Sequence, residues 1–323
     1  DFVFPNIFSY KQHEGYAHPY GAFLKTGSGT MQIVQPDKTL VKEFIYRSDI
    51  EIREGMLLIG SGTSDLNYNT GASSYSFLGD MTDPDRKIVV TNTGVLCLTE
   101  RGMIDGTATS KTLKTPVVLR NGGTLKLIQN ATPNNFGPLV FEDGNFSYEG
   151  ARTGINQMVT AGEVKISSKT KTPSVWPSVT RGFWYLLPNY TEFDVDDVTE
   201  DGSVDFDFGL TLVYGYGLVD DPSACGFVKK GLGTMRISAD HSYWRAAARN
   251  TAVEGGYEYM GICGEAQVNA GTLQVDGYVP SNVVAVAQGA FVSGTGTVNQ
   301  VTLAAGTVNT LYSSDSDLPL FVQ

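Results

Sequence analysis

The stretch VVLRNGGTL, residues 117–125, carries the pattern that decides the fold of this 323-residue chain. Aliphatic and β-branched residues lead into a short polar turn with glycine, and a second alternating run follows the glycine. The same pattern recurs near residue 90 and at residues 50–57, 139–144, 158–162, 266–273, 284–289 and 301–308. A short unit that recurs along a chain indicates a repeat architecture in which each unit stacks on its neighbours.

The spacing of the turn glycines indicates which repeat architecture is present. These glycines lie at positions 55, 94, 123, 144 and 162, and again at 271, 289 and 306. Their intervals are 39, 29, 21 and 18 residues, then 18 and 17. Intervals of about 20 residues fit one solenoid coil, and longer intervals fit a coil with an insertion. Alternation places every second side chain inside the coil, and glycine accepts the positive φ of a sharp turn. The sequence therefore predicts an all-β, right-handed parallel β-helix, a solenoid with loop insertions.

Two of the turns leave an alternative fold open. Asn121-Gly122 and Asp143-Gly144 are dipeptides that also close antiparallel hairpins. Antiparallel hairpins at short spacing build sandwiches, so a β-sandwich is the alternative.

Two ranges interrupt the repeat within the predicted β-helix, which spans residues 21–308. Residues 61–86 have the composition of turns, and residues 167–190 contain three prolines among five aromatic residues. Proline opposes a central strand because it cannot donate to the ladder. We expect both ranges to leave the stack as loops.

The two ends of the chain differ from the repeat. Residues 1–20 and 309–323 lack its glycine spacing, but each contains apolar residues beside a proline. Proline blunts the open edge of a sheet. Each segment is expected to cap the solenoid or to link it to another molecule.

Composition and charge exclude several classes of function. The chain has 34 acidic and 23 basic side chains, a net charge of −11. A polyanion such as nucleic acid is repelled by such a surface. No apolar run reaches the roughly 18 residues that a membrane span requires. We therefore expect neither nucleic-acid binding nor a membrane span.

The three cysteines form no recognisable framework. Cys97, Cys225 and Cys263 are odd in number, and their spacing matches no zinc site. Two alternatives stay open: a Cys225–Cys263 bridge, or buried thiols inside the stack.

Two segments resemble each other more closely than the rest of the chain. FLKTGSGTMQI at residues 23–33 and FVKKGLGTMRI at residues 227–237 are identical at seven of eleven positions, with a constant offset of 204. The phrase resembles the autotransporter-associated β-strand repeat of bacterial passenger domains. Residues 271–277 and 289–298 are similar to later phrases of that repeat, although residues 55–60 lack the Gly-Thr-Leu ending after the first copy. The resemblance implies a parallel β-helix and an exported bacterial protein, and it implies no particular activity.

An acidic run supplies the candidate metal ligands. Its carboxylates include Asp194, Asp196, Asp205 and Asp207. Calcium prefers such hard oxygen ligands, although the spacing is not that of an EF-hand loop. The alternation at residues 204–208 also fits a strand with Phe side chains inward and Asp side chains in water. A calcium site and a solvated face are the two interpretations, and no other cofactor is expected.

A group of aromatic residues supplies the candidate binding surface. Exposed aromatic faces stack on sugars and anchor protein interfaces, whereas buried ones cover a core. The residues concerned are Trp176, Trp184, Tyr185 and Tyr190.

Together these features favour a non-enzymatic, extracellular structural or adhesive protein of a bacterial cell surface. Its expected partners are sister molecules, as in a fibre, or a surface glycan or protein. The alternative function is a polysaccharide lyase or glycoside hydrolase on the same scaffold, for which the carboxylates Asp205 and Asp207 are the candidates.

Overall fold

A computed structural model describes most of the repeat region. The described residues are 2–5, 22–34, 48–60, 78, 81–99, 113–128, 133–149, 157–177, 182–186, 190–214, 224–239, 263–279, 281–298, 300–304 and 321–322. Within these ranges the structure contains β-strands and turns and no α-helix. Contacts divide the chain into two units, Asp1–Gly162 and Glu163–Gln323.

Thirteen strands are described in the first unit. They are β1 (Phe2–Pro5), β2 (Phe23–Lys25), β3 (Thr30–Val34), β4 (Ile50–Ile52), β5 (Met56–Ile59), β6 (Ile88–Thr91), β7 (Val95–Leu98), β8 (Val117–Arg120), β9 (Thr124–Ile128), β10 (Pro133–Phe136), β11 (Leu139–Glu142), β12 (Asn145–Glu149) and β13 (Gln157–Ala161).

The strands of the first unit form two long parallel faces. One runs in the order β2, β4, β6, β8, β11, and the other in the order β1, β3, β5, β7, β9, β12. The short turn after each strand of the first face leads to a strand of the second face, so each coil contributes to both. Strand β10 pairs in parallel with β13 as a further element.

Inward and outward residues alternate along each strand of the first unit. The inward residues of successive coils lie directly above one another and form its core. All members of these columns are buried, and each contributes roughly 1.5–3 kcal/mol by leaving water. On the first face, one column consists of Ile50, Ile88, Val117 and Leu139. On the second face, one column consists of Leu57, Leu96, Leu125 and Phe146.

Fifteen strands are described in the second unit. They are β14 (Glu163–Ser167), β15 (Ser174–Trp176), β16 (Gly182–Leu186), β17 (Thr191–Val195), β18 (Val204–Phe208), β19 (Thr211–Tyr214), β20 (Phe227–Lys230), β21 (Thr234–Ile237), β22 (Cys263–Val268), β23 (Thr272–Val275), β24 (Ser281–Val286), β25 (Phe291–Ser293), β26 (Thr297–Val298), β27 (Val301–Leu303) and β28 (Phe321–Val322).

The second unit repeats the arrangement of the first. One parallel face runs β14, β17, β20, β22, β24, β27, and another runs β15, β18, β21, β23, β25. Strand β16 pairs with β19, and β26 pairs with β28. A buried column crosses the second face through Trp176, Phe208, Ile237 and Val275.

The predicted parallel β-helix is confirmed, and the β-sandwich is not the fold. Every pairing between these strands within the two units is parallel. The Asn121-Gly122 turn joins β8 to β9 and the Asp143-Gly144 turn joins β11 to β12, and in each case the two strands lie in different sheets. The dipeptides therefore turn the chain between faces instead of closing hairpins.

The turn at Asn121 shows why glycine recurs at this place in the repeat. Asn121 itself takes a positive φ of 50°, as Asn92 and Asp143 do at the equivalent places with 56° and 61°. Gly123 has no positive φ, but an added Cβ would collide with the carbonyl oxygen of Val90 on the preceding coil. The positive φ of this turn thus falls on Asn121 and, as expected for glycine, on Gly122, whose φ is 89°, whereas Gly123 is required by the close approach of two coils.

The range 167–190 differs from the predicted loop. Residues 174–176 form β15, which pairs with β18 at the edge of its sheet, and residues 182–186 form β16, which pairs with β19. Pro173 and Pro177 flank β15, and an edge strand is where proline is tolerated. These residues are therefore part of the stack.

Only part of the other predicted insertion is described, namely residues 78 and 81–86. Arg86 is buried there and donates from Nε to the carbonyl oxygen of Ser48 at 2.7 Å. It also donates to the carbonyl oxygen of Leu78. Residues 61–77 and 79–80 lie outside the described residues, as do most of the predicted end segments 1–20 and 309–323.

Candidate functional site

An open groove lies on the outer face of the first unit, over strand β6. The outward residues of β6 are short, Val89 and Thr91. Val89 lies between Glu51 and Val118, and Thr91 lies beside Arg120. Short side chains flanked by Glu51, Arg53 and Arg120 leave a trough along the strand. Its volume is about 530 Å³, and its lining consists of Glu51, Arg53, Lys87, Val89, Thr91, Asn92, Arg120 and Asn121.

Charged side chains dominate the walls of this groove. Arg53 donates from Nε and Nη2 to the two carboxylate oxygens of Glu51, at 2.8 and 3.0 Å. This bidentate pair lowers the pKa of Glu51, and the positive charges of Arg53, Arg120 and Lys87 lower the Glu51 pKa further. The same hydrogen bonds raise the pKa of Arg53. Glu51 and Arg53 therefore stabilise each other's charged form.

The other two cations of the groove have looser partners. Lys87 Nζ lies 4.0 Å from Asp49 Oδ2, and Arg120 Nε lies 3.8 Å from Glu142 Oε2. Both distances exceed hydrogen-bond length. The buried Nε of Arg120 finds no acceptor among the described residues. The donors of these cations are therefore incompletely satisfied by the protein.

Three of the four predicted calcium ligands form ion pairs with basic residues. Lys165 Nζ lies 2.7 Å from Asp194 Oδ2 and 3.2 Å from Asp196 Oδ1. Partial burial lowers the pKa of Lys165, but the hydrogen bonds to both carboxylates outweigh burial and raise it overall. Arg236 Nη2 lies 2.5 Å from Asp207 Oδ2, and this bond raises the pKa of Arg236. These three carboxylates thus bridge adjacent strands with basic side chains.

The fourth predicted ligand, Asp205, is buried, and the expectation that it faces water is wrong. Strand β18 has a register irregularity between Val204 and Phe206, so Asp205 occupies a bulge while both neighbouring phenylalanines face inward. Its Oδ1 accepts hydrogen bonds from the backbone N–H of Val198 and from the N–H and hydroxyl of Thr199, at 2.8–2.9 Å. Its Oδ2 accepts from the N–H of Thr234 on the next coil at 2.6 Å.

The four aspartates are not gathered around one point. Across the described residues, no three or more His, Cys, Asp or Glu side chains are placed to hold a metal ion.

Two of the predicted aromatic binding residues belong to the core of the second unit. Trp176 and Trp184 are 1 % and 0 % exposed. Their ring centroids lie 5.5 Å apart, and both contact Phe208, at 5.5 and 5.9 Å. Phe193 joins the cluster 5.8 Å from Trp184. Burial, the alternative considered for these residues, is what the structure shows, because stacking on a ligand requires an exposed ring.

The two tyrosines of the prediction are placed differently. Tyr185 lies in β16, where it pairs with Val213 of β19, and its side chain lies outside the described part of the chain. Tyr190 has a positive φ of 58° and is partly exposed. An added Cβ on Gly226 would collide with the Tyr190 ring, so this ring packs against the backbone of the next coil.

A buried lysine occupies the same place in both copies of the repeated phrase. Lys229 lies in an inward column between Phe193 and Val268, and its Nζ donates to the carbonyl oxygens of Lys230, Gly231 and Ala270 at 2.7–3.2 Å. Lys25 Nζ likewise donates to the carbonyl oxygens of Thr26, Gly27 and Glu54 at 2.7–3.0 Å. In each copy the last acceptor lies on the following coil. We call this arrangement the lysine clamp.

The glycine after the last acceptor completes each clamp. Gly55 and Gly271 have positive φ values of 65° and 63°. In both, an added Cβ would collide with the carbonyl oxygens of the two glycines of the repeated phrase on the preceding coil. The repeated phrase therefore encodes a junction between two coils, with lysine and three glycines at fixed places.

The cysteines described with side chains, Cys97 and Cys225, are fully buried, as predicted for cysteines inside the stack.

Sequence reasoning missed the groove. Its residues come from three segments separated by tens of positions. Each segment taken alone has the pattern of an ordinary outward-facing part of a coil. Only the strand register aligns Glu51 with Val89 and Thr91 with Arg120.

Comparison with known proteins found no match to a family model, a curated protein or a solved structure. Among the described residues there is no helix of the length and apolar character needed to cross a membrane.

Proposed function

We propose that this protein is a non-enzymatic structural or adhesive scaffold of a bacterial cell surface. The observation that carries the proposal is the lysine clamp, which appears in both units and joins one coil to the next. A buried ammonium costs free energy unless its donors are satisfied, and here three carbonyl oxygens satisfy each one. Such a device fits a protein whose task is to keep its coils in register.

Pairs of outward charged residues support the same function. Lys165 with Asp194, Lys230 with Glu192 and Arg236 with Asp207 each link neighbouring coils of the second unit. One exposed ion pair contributes at most about 1 kcal/mol, but a series along a stack adds to its rigidity. The enzymatic alternative requires the carboxylates Asp205 and Asp207. Asp205 is buried and accepts backbone hydrogen bonds, and Asp207 is paired with Arg236.

The location at a bacterial surface rests on the sequence resemblance. The lysine and glycines by which residues 23–33 and 227–237 resemble the autotransporter-associated repeat are residues that build the clamp and its turn. The resemblance thus lies in residues that form a coil junction in both units of this chain. Export of the protein follows from it as part of the proposal.

The first test is surface labelling of the intact source cells with an antibody against this chain, beside a turnover assay. We expect labelling without permeabilisation and no release of new reducing or unsaturated ends from a broad panel of polysaccharides. Turnover that Asp205→Asn or Asp207→Asn abolishes would contradict the scaffold and favour the lyase or hydrolase.

Light scattering over a dilution series separates the structural role from the adhesive one. Assemblies that grow with concentration indicate a fibre subunit, in which strand edges pair between molecules. A constant monomer mass excludes a self-assembling fibre subunit and directs the search for a ligand to the outer faces.

A further inference from the structure

We propose that the groove over β6 binds an acidic oligosaccharide, one bearing carboxylate or sulfate groups. The inference deepens the adhesive part of the proposed function and rests on it, because it names the ligand class that one outer face would hold.

The charged residues that line the groove predict that its ligand is negatively charged. Its lining contains three cations, Arg53, Lys87 and Arg120, and one anion, Glu51. Two further carboxylates, Asp49 and Glu142, lie beside Lys87 and Arg120 outside this lining, so the excess of cations is confined to the lining itself. The chain as a whole has 34 acidic and 23 basic side chains, so the groove departs from the average surface in the opposite direction. A local excess of cations in a concave surface concentrates anions there.

The looseness of two ion pairs leaves room for that anion. Lys87 and Arg120 lie 4.0 and 3.8 Å from their carboxylate neighbours, so neither pair is closed by a direct hydrogen bond between those atoms. An incoming carboxylate or sulfate oxygen at about 2.8 Å makes a stronger, charge-assisted bond with either cation. Arg53, by contrast, already donates two hydrogen bonds to Glu51, and these hold its side chain in place as part of the groove wall.

The remaining lining favours a sugar over a peptide. Val89 is the single apolar residue among the lining residues, and hydroxyl and amide side chains come from Thr91, Asn92 and Asn121. A polyhydroxylated ligand can both donate to Glu51 and accept from the amides. An apolar peptide side chain finds no pocket in such a lining.

The dimensions of the groove suit an oligomer. From Lys87 to Asn92 the floor covers five residue steps, roughly 16 Å at the rise of a β-strand. The volume of about 530 Å³ falls within the range of small-molecule sites. An extended chain of a few sugar units can therefore lie along β6, with acidic groups near Lys87 and Arg120.

The test is titration calorimetry on the full chain with four probes of matched length. These are tetragalacturonate, a sulfated chondroitin tetrasaccharide, neutral cellotetraose and a tetra-aspartate peptide. We expect one or both acidic saccharides to bind, with affinity that falls as NaCl is added. The two acidic arms distinguish carboxylate from sulfate as the recognised group.

Variants locate the binding. Lys87→Gln and Arg120→Gln are each expected to weaken the affinity at least about tenfold, and Val89→Trp, which fills the floor, is expected to abolish it. Lys171→Gln is the matched control, because this lysine forms an exposed ion pair with Glu200 in the second unit and does not line the groove. Circular dichroism and melting curves establish that each variant is folded.

Three results overturn the inference: equal binding of cellotetraose or tetra-aspartate, binding that the groove variants leave unchanged, or no acidic saccharide bound below about 1 mM. None of these affects the scaffold. Conversely, cleavage of a bound oligosaccharide overturns the non-enzymatic function while leaving the groove as its site.

Discussion

Lys229 donates a hydrogen bond from Nζ to the carbonyl oxygen of Ala270, 3.2 Å away on the following coil. Lys25 and Glu54 repeat this relationship in the first unit at 3.0 Å. In both copies the lysine occupies an inward position that hydrophobic residues hold in the neighbouring coils. The chain thus places a charged group in its core to fasten a turn.

The first prediction concerns this clamp. Lys229→Met keeps the apolar stem but leaves the carbonyl oxygens of Lys230, Gly231 and Ala270 without their donor. We expect the free energy of unfolding to fall by about 1–3 kcal/mol, measured by urea denaturation. Lys230→Met is the matched control, because Lys230 is 43 % exposed in its ion pair with Glu192. It should cost at most about 1 kcal/mol, and equal effects of the two changes would contradict the clamp.

The second prediction concerns the pH dependence that Lys229 confers. Burial lowers the pKa of Lys229 from 10.5 to about 8. Between these values the unfolded chain keeps a proton that the folded chain has lost, so stability rises with pH and the gain is complete above about 10.5.

The measurement is the free energy of unfolding of wild type and Lys229→Met from pH 7 to 10, where their difference isolates this one group. We expect wild type to gain relative to the variant across that window, toward a limit of about 3 kcal/mol. Parallel curves for the two proteins would show that Lys229 titrates at its ordinary pKa.

The third prediction concerns the bulge at Asp205. Asp205→Asn replaces one carboxylate oxygen with an amide donor, and a donor then faces one of the backbone N–H groups. We expect a loss of about 2–3 kcal/mol in urea denaturation. The matched change Asp196→Asn affects a carboxylate that is 47 % exposed and shares Lys165 with Asp194. This account of the bulge would be contradicted if Asp205→Asn lowered the free energy of unfolding no more than Asp196→Asn does.

The fourth prediction uses two adjacent residues of β15. Trp176 is buried and Val175 is 60 % exposed. Trp176→Ala should lower the free energy of unfolding by about 3–5 kcal/mol. Val175→Ala should change it by less than about 0.5 kcal/mol. If β15 were a displayed loop, as its prolines predict, the two changes would cost about the same.

The parallel β-helix could be predicted because its signal is local and repeated. Residues 117–125 contain a strand, a turn and a second strand, and the same signal returns at coil spacing. Each inward column then follows from alternation alone, since a position that faces inward in one coil stacks on the same position in the next. The insertion at 167–190 was mispredicted because proline excludes a central strand but not an edge strand such as β15.

The candidate site was beyond the sequence because it depends on register. Val89, Glu51 and Arg120 come from three coils, and the groove exists because the short outward residues of β6 lie beside long charged ones. Similarly, the alternation at residues 204–208 places Asp205 in water, whereas the register irregularity places it in the interior. Neither the register nor the bulge has a local sequence signature.

The sequence by itself determined the coil: its strands, its turns, its inward apolar columns and the repeated phrase at 23–33 and 227–237. Those features arise from interactions between residues close in the chain, and they recur often enough to be recognised. The tertiary structure alone decided which polar side chains meet across coils, from the lysine clamp to Asp205 and the groove. Such contacts join residues some 29 to 41 positions apart, and stacking fixes their distances only when every intervening turn and insertion has its length and register set.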